Sequence, residues 1–297
     1  MSVIQQDFER FYGDIFGSRW EALRAGLLKS ERQVRRYNPM SGVQFFEESQ
    51  KKINWLSHSE WHSSSESIPR SESDLLTYYV LDPASVLVAE NLKVKPGEKV
   101  LDLCAAPGGK SLVLAQSLFI EKNPKSELIL NELSPDRRER LKKVVQQYIP
   151  RDIRNQIWIK GKDGTRFGLE VKNYFDAILL DAPCSGERHL LENPKELLNW
   201  KIKRTKALSL KQYSLICSAW LALRPGGRLI YSTCALSPLE NDELIQKFLK
   251  KKSDALVENI EFRGPGFEST QYGIIYLPDQ SGFGPMYSCL LVKSTSP

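Results

Sequence analysis

From residue 98 onward the sequence alternates short apolar runs with longer amphipathic ones, and few folds accept that rhythm. KVLDLC (99–104), SELILNE (126–132), QIWIK (156–160), YFDAILLD (174–181) and GRLIYST (227–233) read as five buried strands. KSLVLAQSLF (110–119), SPDRRERLKKVVQQY (134–148), TKALSLKQYSLICSAWLAL (205–223) and SPLENDELIQKFLKK (237–251) read as helices, the last begun at Ser237-Pro238. Strand–helix alternation implies parallel strands joined by right-handed crossovers, hence an α/β fold with a three-layer, doubly wound sheet. MYSCLLVK (286–293) is expected as a late edge or hairpin strand.

Upstream the pattern differs. Residues 3–29 place Phe8, Phe11, Tyr12, Ile15, Trp20, Leu23 and Leu27 at near-helical spacing, with interruptions around Gly13 and Gly17, so two helices are expected. SHSEWHSSSESIPRSESD (57–74) is Ser-rich and aperiodic, which predicts a loop or linker, and residues 74–92 resume an apolar pattern with a break near Pro83. The expected division is a small helical N-terminal region with its linker over 1–75 and the sheet domain over 76–297.

A net charge of +6 is mild, and its distribution says more. Residues 137–154 hold seven basic and two acidic side chains, and KIKRTK (201–206) and KSERQVRR (29–36) are further basic clusters. Each is a solvated helix face by itself; gathered around one site they would make a polyanion groove. Five cysteines without a CxxC pair favour a reducing compartment. The start MSVIQQDFER lacks a signal-peptide layout, its acids argue against a transit peptide, and no apolar run reaches the roughly 20 residues of a membrane span. A soluble cytoplasmic protein is the expectation.

Ligands of doubly wound sheets sit at the C-terminal strand ends, near the point where strand order reverses. The first strand runs into Cys104, Ala105, Ala106, Pro107, Gly108, Gly109 and Lys110, small residues that let the backbone approach a ligand before a helix start presents amide donors. About two dozen residues further on, Glu132 stands where an acid chelates ribose hydroxyls in nucleoside-binding folds. The loop lacks both GxGxxG and Walker-A spacing, so a nucleoside with one carboxylate fits better than a dinucleotide or a triphosphate. S-adenosylmethionine (SAM) is such a molecule. Asp163, after the third strand, is placed to accept from an adenine amino group, although a lone acid in KGKDGTRF reads first as a turn former.

Two later strands end at thiols: FDAILLDAPCSGERHL (175–190) carries Asp181 and Cys184, and GRLIYSTCALSP carries Cys234. Cytosine C5 is too electron-poor to take a methyl group directly. Thiolate addition at C6 makes the ring an enamine with a nucleophilic C5, and a base must later remove the C5 proton so that the thiol can leave. That chemistry needs a nucleophilic cysteine, an acid near N3 and a base. An ordinary cysteine is only about 3% thiolate at pH 7, and a pKa lower by about two units raises that to about three quarters, worth roughly 2 kcal/mol of barrier. Positioning of base and methyl donor contributes several times more. Cys217, in an apolar helix, and Cys289, in an apolar strand, read as core residues. HSEWH (58–62) misplaces the acid of HExxH, so no metal site is expected, and His189 reads as a loop residue.

DLCAAPGGK (102–110), NELSPDRRERL (131–141), DAPCSGERH (181–189), LRPGGRLIYSTC (223–234) and LSPLEN (236–241) together resemble the Sun-type RNA (cytosine-5)-methyltransferases. YYVLDPASVL (78–87) and FGPMYSCLLVK (283–293) extend the resemblance. FYGDIFGSRWEALRAGLL (11–28) looks like the N-terminal extension of the branch best known from mitochondria, which acts on small-subunit ribosomal RNA or a transfer RNA anticodon. The resemblance implies a Rossmann-like SAM-dependent methyltransferase sheet with a small RNA-contacting N-terminal region. It implies that Cys104 to Lys110 hold the methionine end of SAM, Glu132 the ribose and Asp163 the adenine side. Arg137 matches a cofactor-side arginine of some members, and Asp181 lies between cofactor and target base. Cys234 is the implied nucleophile, while Cys184 assists product release, the reverse of DNA cytosine-5 methylases.

The implied activity is formation of 5-methylcytosine, with small-subunit ribosomal RNA the expected substrate and transfer RNA the alternative. A largely non-catalytic ribosome-assembly factor that binds RNA and SAM is the rival of a different class. No appended RNA-binding module is apparent, and residues 1–95 hold 12 Lys/Arg against 13 Asp/Glu. RNA selection is then expected to depend on grooves of the catalytic domain, a partner protein or an assembling ribosomal particle. A target base that must leave its stack favours an accessible loop over a continuous duplex.

Overall fold

The computed structural model describes residues 3–29, 32–43, 52–63, 67–121, 123–261 and 263–295. Helices α1 (Val3–Phe16) and α2 (Trp20–Lys29) are separated by one 3-10 turn at Gly17–Arg19, and Gly13 stays helical. Three short strands, β1 (Val34–Tyr37), β2 (Ser59–Trp61) and β3 (Tyr78–Leu81), form an antiparallel sheet ordered β2-β1-β3. The Ser-rich stretch expected as a linker therefore contributes a strand. Three residues are too few to show a period of two, and pairing with β1 supplies the stability that composition does not reveal. Residues 64–66 of that stretch lie outside the described residues, and the 75/76 division falls within this small sheet. Helix α3 (Pro83–Asn91) explains the break near Pro83: proline occupies its first turn, and Asp82 caps it by accepting from the Ala84 N–H at 2.8 Å.

The alternating region folds as β4 (Lys99–Asp102), α4 (Gly109–Leu118), β5 (Glu127–Asn131), α5 (Pro135–Tyr148), α6 (Arg151–Arg154), β6 (Ile157–Lys160), α7 (Phe167–Glu170) and β7 (Phe175–Asp181). Then come α8 (Glu187–Glu192), α9 (Pro194–Leu197), α10 (Ile202–Ala222), β8 (Leu223–Thr233) and α11 (Asp242–Leu249). The last elements are β9 (Ala255–Glu258), β10 (Phe267–Ser269), β11 (Ile274–Tyr276), α12 (Pro278–Ser281) and β12 (Met286–Lys293). The large sheet is ordered β10-β11-β12-β8-β7-β4-β5-β6, with β9 also paired to β12. Strands β6, β5, β4, β7 and β8 run parallel, and the order reverses at β4, which has β5 on one side and β7 on the other.

Three expectations are corrected in whole or in part. β12 is a hairpin strand, antiparallel to the preceding β11, but not an edge: it is interior, with β8 on one side and β11 and β9 on the other. β6 is the edge of the sheet, and Trp158 on it is 39% exposed. The helix expected from Ser237 is broken: a 3-10 turn covers Pro238–Glu240, and α11 starts only at Asp242. At Asn241 the side chain bonds Thr233 Oγ1 and the Ala235 carbonyl, which fixes the break.

Successive strand residues feed opposite faces of the sheet. Val100, Leu128, Leu130, Ala177, Leu179 and Ile230 join the core beneath α3, α4 and α5. Leu101, Ile129, Ile178, Leu180, Leu229 and Tyr231 join the core on the other face, with α1, α2, α10 and α11. The N-terminal helices are thus built into the second core. Phe8 is fully buried, with ring centroids 4.8 Å from Tyr12, 6.1 Å from Trp20 and 5.2 Å from Trp200. Among the described residues no helix is long and apolar enough to cross a membrane. Truncating such a ring leaves a cavity, so Phe8→Ala is expected to lower unfolding stability by about 3–5 kcal/mol in denaturant titration. A loss below about 1 kcal/mol would mean that α1 is not integral to the folded core.

Candidate active site

Pairing between β7 and β8 brings the two thiols together. Asp181 lies opposite Ser232, and the Ala182 N–H donates to the Ser232 carbonyl at 2.9 Å, so both strands end at the same level. Cys184 and Cys234 leave from those ends and line one cavity of about 810 Å³, together with Cys104, Lys110 and Asp181. The two thiols influence each other: the neighbouring Cys234 first, then burial, reinforced by Glu187 and Glu240, pushes the Cys184 thiol well above its ordinary range. Cys184 is therefore a neutral thiol at physiological pH. Burial likewise raises Cys104, with Asp102, Asp181 and Glu132 adding to it, so this residue lines the loop as an unreactive small side chain.

Asp181 and Lys110 form the polar centre. Lys110 Nζ donates to Asp181 Oδ2 at 2.7 Å, and Ser232 Oγ donates to Oδ1 at 3.0 Å. Burial pulls the lysine down, but Asp181, then Cys234 and Asp82, outweigh it and keep the ammonium charged. Sequence reasoning placed Lys110 only in the glycine loop; its ion pair with Asp181 depends on β4 and β7 being neighbours. The Asp181 side chain remains 31% exposed, so its oxygens can accept another donor from the cavity.

Gly108 holds φ +120°, open in practice only to glycine, and a Cβ there would lie 2.9 Å from Val144 and 3.1 Å from Leu141. Glycine thus sets the turn and lets α5 pack against the loop. Ala106 and Pro107 border the main cavity, whereas Ala105, Gly108 and Gly109 open onto an adjoining recess of about 190 Å³. Glu132 is buried at the end of β5 and accepts from the Ser134 N–H at 2.9 Å. Arg137, half-exposed on α5, donates to the Ala106 carbonyl at 2.6 Å and lies 3.5 Å from Glu132, bracing loop and acid. Asp163 is exposed at the rim; it takes the Thr165 N–H and hydroxyl at 3.0 and 2.8 Å, the turn-forming role read from its sequence setting, and still borders the cavity.

Asp102 was missed by sequence reasoning, since nothing local shows that its side chain is buried beside the glycine loop. It is 1% exposed, accepts from Ser111 Oγ at 2.7 Å, and its Oδ1 is buried without a partner. Burial first, and Asp181 further, push this carboxyl up to about 7 against the Ser111 bond. Asp102 borders the small recess, where a ligand ammonium would satisfy it.

The other candidates stand apart. Cys289 is buried in β12, and Cys217 on α10 is partly buried against the second core. His62 Nδ1 accepts from Arg35, and His189 is an exposed partner of Glu196 and Asn193. Among the described residues no His/Cys/Asp/Glu group could hold a metal ion. In the basic clusters Arg36 is buried and paired with Glu90 at 2.6 Å, Arg138 and Arg154 bond backbone carbonyls, and residues 30–31 lie outside the described residues.

Residues 89–292 match a family described as 16S rRNA methyltransferase RsmB/F. A 5-cytosine rRNA methyltransferase NSUN4 from Bos taurus is 34% identical over 238 residues, 74% of this chain and 61% of that protein. A mitochondrial tRNA (cytosine(34)-C(5))-methyltransferase from Mus musculus is 35% identical over 232 residues, 75% of this chain and 65% of that one. The chain thus spans less than two thirds of the length of these curated relatives. The crystal structure of NSun6 from Pyrococcus horikoshii with SFG shares the fold, with TM-score 0.75 over 97% of this chain and 98% of that chain at 18% identity.

The thiol pair makes a directional prediction. Cys234→Ala removes the largest cause of the raised Cys184 pKa, so alkylation of Cys184 by iodoacetamide at pH 8 should speed up. Peptide mass spectrometry reads the rate, and an unchanged rate would show that the sulfurs do not interact.

Proposed function

Since the chain belongs to the RsmB/F family of 16S rRNA methyltransferases, we propose that it methylates C5 of a cytosine in RNA, with small-subunit ribosomal RNA as substrate and SAM as methyl donor. The single observation that carries this reading is the opening of Cys184, Cys234 and Asp181 onto one cavity with Cys104, Ala106, Pro107 and Lys110 of the glycine loop. Its volume of about 810 Å³ suits a nucleoside-sized ligand beside a flipped base.

The donor set fits SAM. Glu132 is available to a ribose diol, Asp163 stands at the rim for an adenine amino group, and the loop from Cys104 to Lys110 accommodates the methionine end. The unpartnered Asp102 Oδ1 suits an ammonium. Lys110 is already paired with Asp181 and Arg137 lies beside Glu132, so of the lining cations only exposed Lys211 stands apart from an acid, which disfavours a polyphosphate. When bound, SAM supplies an electrophilic methyl group.

In this reading Cys234 is the nucleophile. Its sulfur, as thiolate, forms a bond to C6, and the C5–C6 π electrons move toward C5 while Asp181 engages the polar edge of the base. Lys110 keeps Asp181 fixed and offsets the negative charge gathered beside it. After C5 is methylated a base takes the C5 proton, the C5–H electron pair re-forms the C5–C6 double bond, and the C6–S pair leaves on Cys234 as thiolate. A neutral Cys184 does not compete for C6, which supports a role in product release. Arg137 at the cavity and exposed Lys211 on α10 offer cations to an approaching RNA backbone.

The identity to a protein named as a tRNA methyltransferase supports transfer RNA as a second reading. Cys234→Ala is expected to abolish methyl transfer, and substantial turnover would remove it as nucleophile. Cys184→Ala should accumulate a covalent protein–RNA adduct on denaturing gels; an adduct that required Cys184 would reverse the roles. Bisulfite sequencing of cellular RNA with and without the protein should lose a cytosine signal in small-subunit ribosomal RNA, while loss confined to transfer RNA would select the second reading.

A further inference from the structure

Behind the thiols lies a fully buried acidic pair that the reaction does not use directly. Glu187, the first residue of α8, and Glu240, in the turn before α11, are both 0% exposed. The donors around them are neutral. Glu187 Oε1 takes the Tyr12 hydroxyl at 2.5 Å and Oε2 the Leu236 N–H at 3.1 Å. Glu240 Oε2 takes the Ser185 N–H at 3.0 Å and Gln212 Nε2 at 2.7 Å. Ser185 Oγ bridges the pair, hydrogen-bonded to Glu187 Oε1 and lying 2.5 Å from Glu240 Oε1.

Counting protons decides the charge state. The serine hydroxyl owns one proton and can donate to only one carboxylate. The second contact needs a proton from a carboxyl group. Glu187 has both oxygens occupied by donors, whereas Glu240 Oε1 meets only Ser185. The consistent chain runs from a Glu240 carboxyl O–H to Ser185 Oγ, and from the Ser185 hydroxyl to an ionised Glu187 that also accepts from Tyr12.

Ser185 follows Cys184, while Leu236 and Glu240 lie in the segment that follows Cys234. The network therefore ties one thiol-bearing loop to the other and both to α1. We propose that Glu187 and Glu240 share one proton through Ser185 and, steered by Tyr12, are positioning residues that hold Cys184 and Cys234 in register, a role that rests on the methyl-transfer reading above.

The titratable groups facing Glu240 are Glu187, Tyr12 from α1, Cys184 from the β7 exit and Tyr231 from β8. The last three are all pushed upward, by burial first for the tyrosines and by neighbouring Cys234 first for Cys184, and stay neutral. Burial, then Glu187, raises Glu240 from 4.5 to about 7. A carboxyl raised on folding makes the folded state bind more protons than the unfolded one between those values. Its contribution is complete below pH 4.5 and is lost as the pH rises toward about 7.

The test compares wild type with Glu240→Gln, Glu187→Gln and Tyr12→Phe in the full chain, by melting temperature from pH 5 to 8. Glutamine mimics the neutral Glu240, so that variant should gain about 5 °C relative to wild type across the range, whereas Glu187→Gln should melt lower throughout. A Glu240→Gln curve parallel to wild type, or equal effects of the two glutamine substitutions, would overturn the shared proton. For positioning, Tyr12→Phe keeps the ring and removes one donor. It should lower kcat about tenfold with KM within twofold, and an unchanged kcat would overturn that role. Were wild type itself inactive on RNA, the proposed function would fail while the melting curves still decided the proton.

Discussion

Side-by-side pairing of β4, β7 and β8 is the constraint from which the site follows. In a parallel sheet neighbouring strands end at a common edge, so Asp102, Asp181 and Ser232 reach that edge together. Residues just beyond it then have little freedom, and two sulfurs remote in sequence become neighbours. A one-residue slip of β8 against β7 would turn Ile230, now in one core, toward the other and carry Cys234 out of register. The hydrophobic pattern that stabilises the sheet is thus also what sets the distance between the thiols.

Charge within this edge is arranged by burial rather than by number. A single lysine stands among Asp181, Asp82 and Cys234, and its pairing with Asp181 outweighs the desolvation that would neutralise it. The acids deeper in the fold lack such a partner and respond by holding protons, as at Asp102 and Glu240. Asp181, paired with a lysine, and Asp102, raised by burial to about 7, thus stand at one sheet edge in unlike surroundings.

The parts of the fold legible in the sequence are those with a local signature. The five strands from Lys99 to Thr233, the glycine loop and the break at Pro83 each follow from patterning or backbone restriction. The strand at Ser59–Trp61 was invisible because its stability comes from β1, and the interior place of β12 because sheet order is a long-range property. The location of Cys184 and Cys234 at strand ends was legible, but their division of labour came from the resemblance. Asp102, Glu187 and Glu240 lie inside the family motifs, yet nothing local gave them a role, since acids in a sequence read as solvated until a fold buries them. Tyr12 showed as one apolar position among several, and nothing local announced its hydroxyl contact with Glu187.

The interior position of β12 also bears on biogenesis. Translation delivers the thiol-bearing β8 long before residues 286–293, so a nascent chain emerging from the ribosome holds β8 with an open, apolar edge. Strands β9, β10 and β11 emerge in that interval, yet β9 and β11 dock on β12 and cannot shield β8 themselves. The strand that leads to Cys234 gains its second neighbour only when β12 arrives, and an unpaired apolar edge is the kind that aggregates.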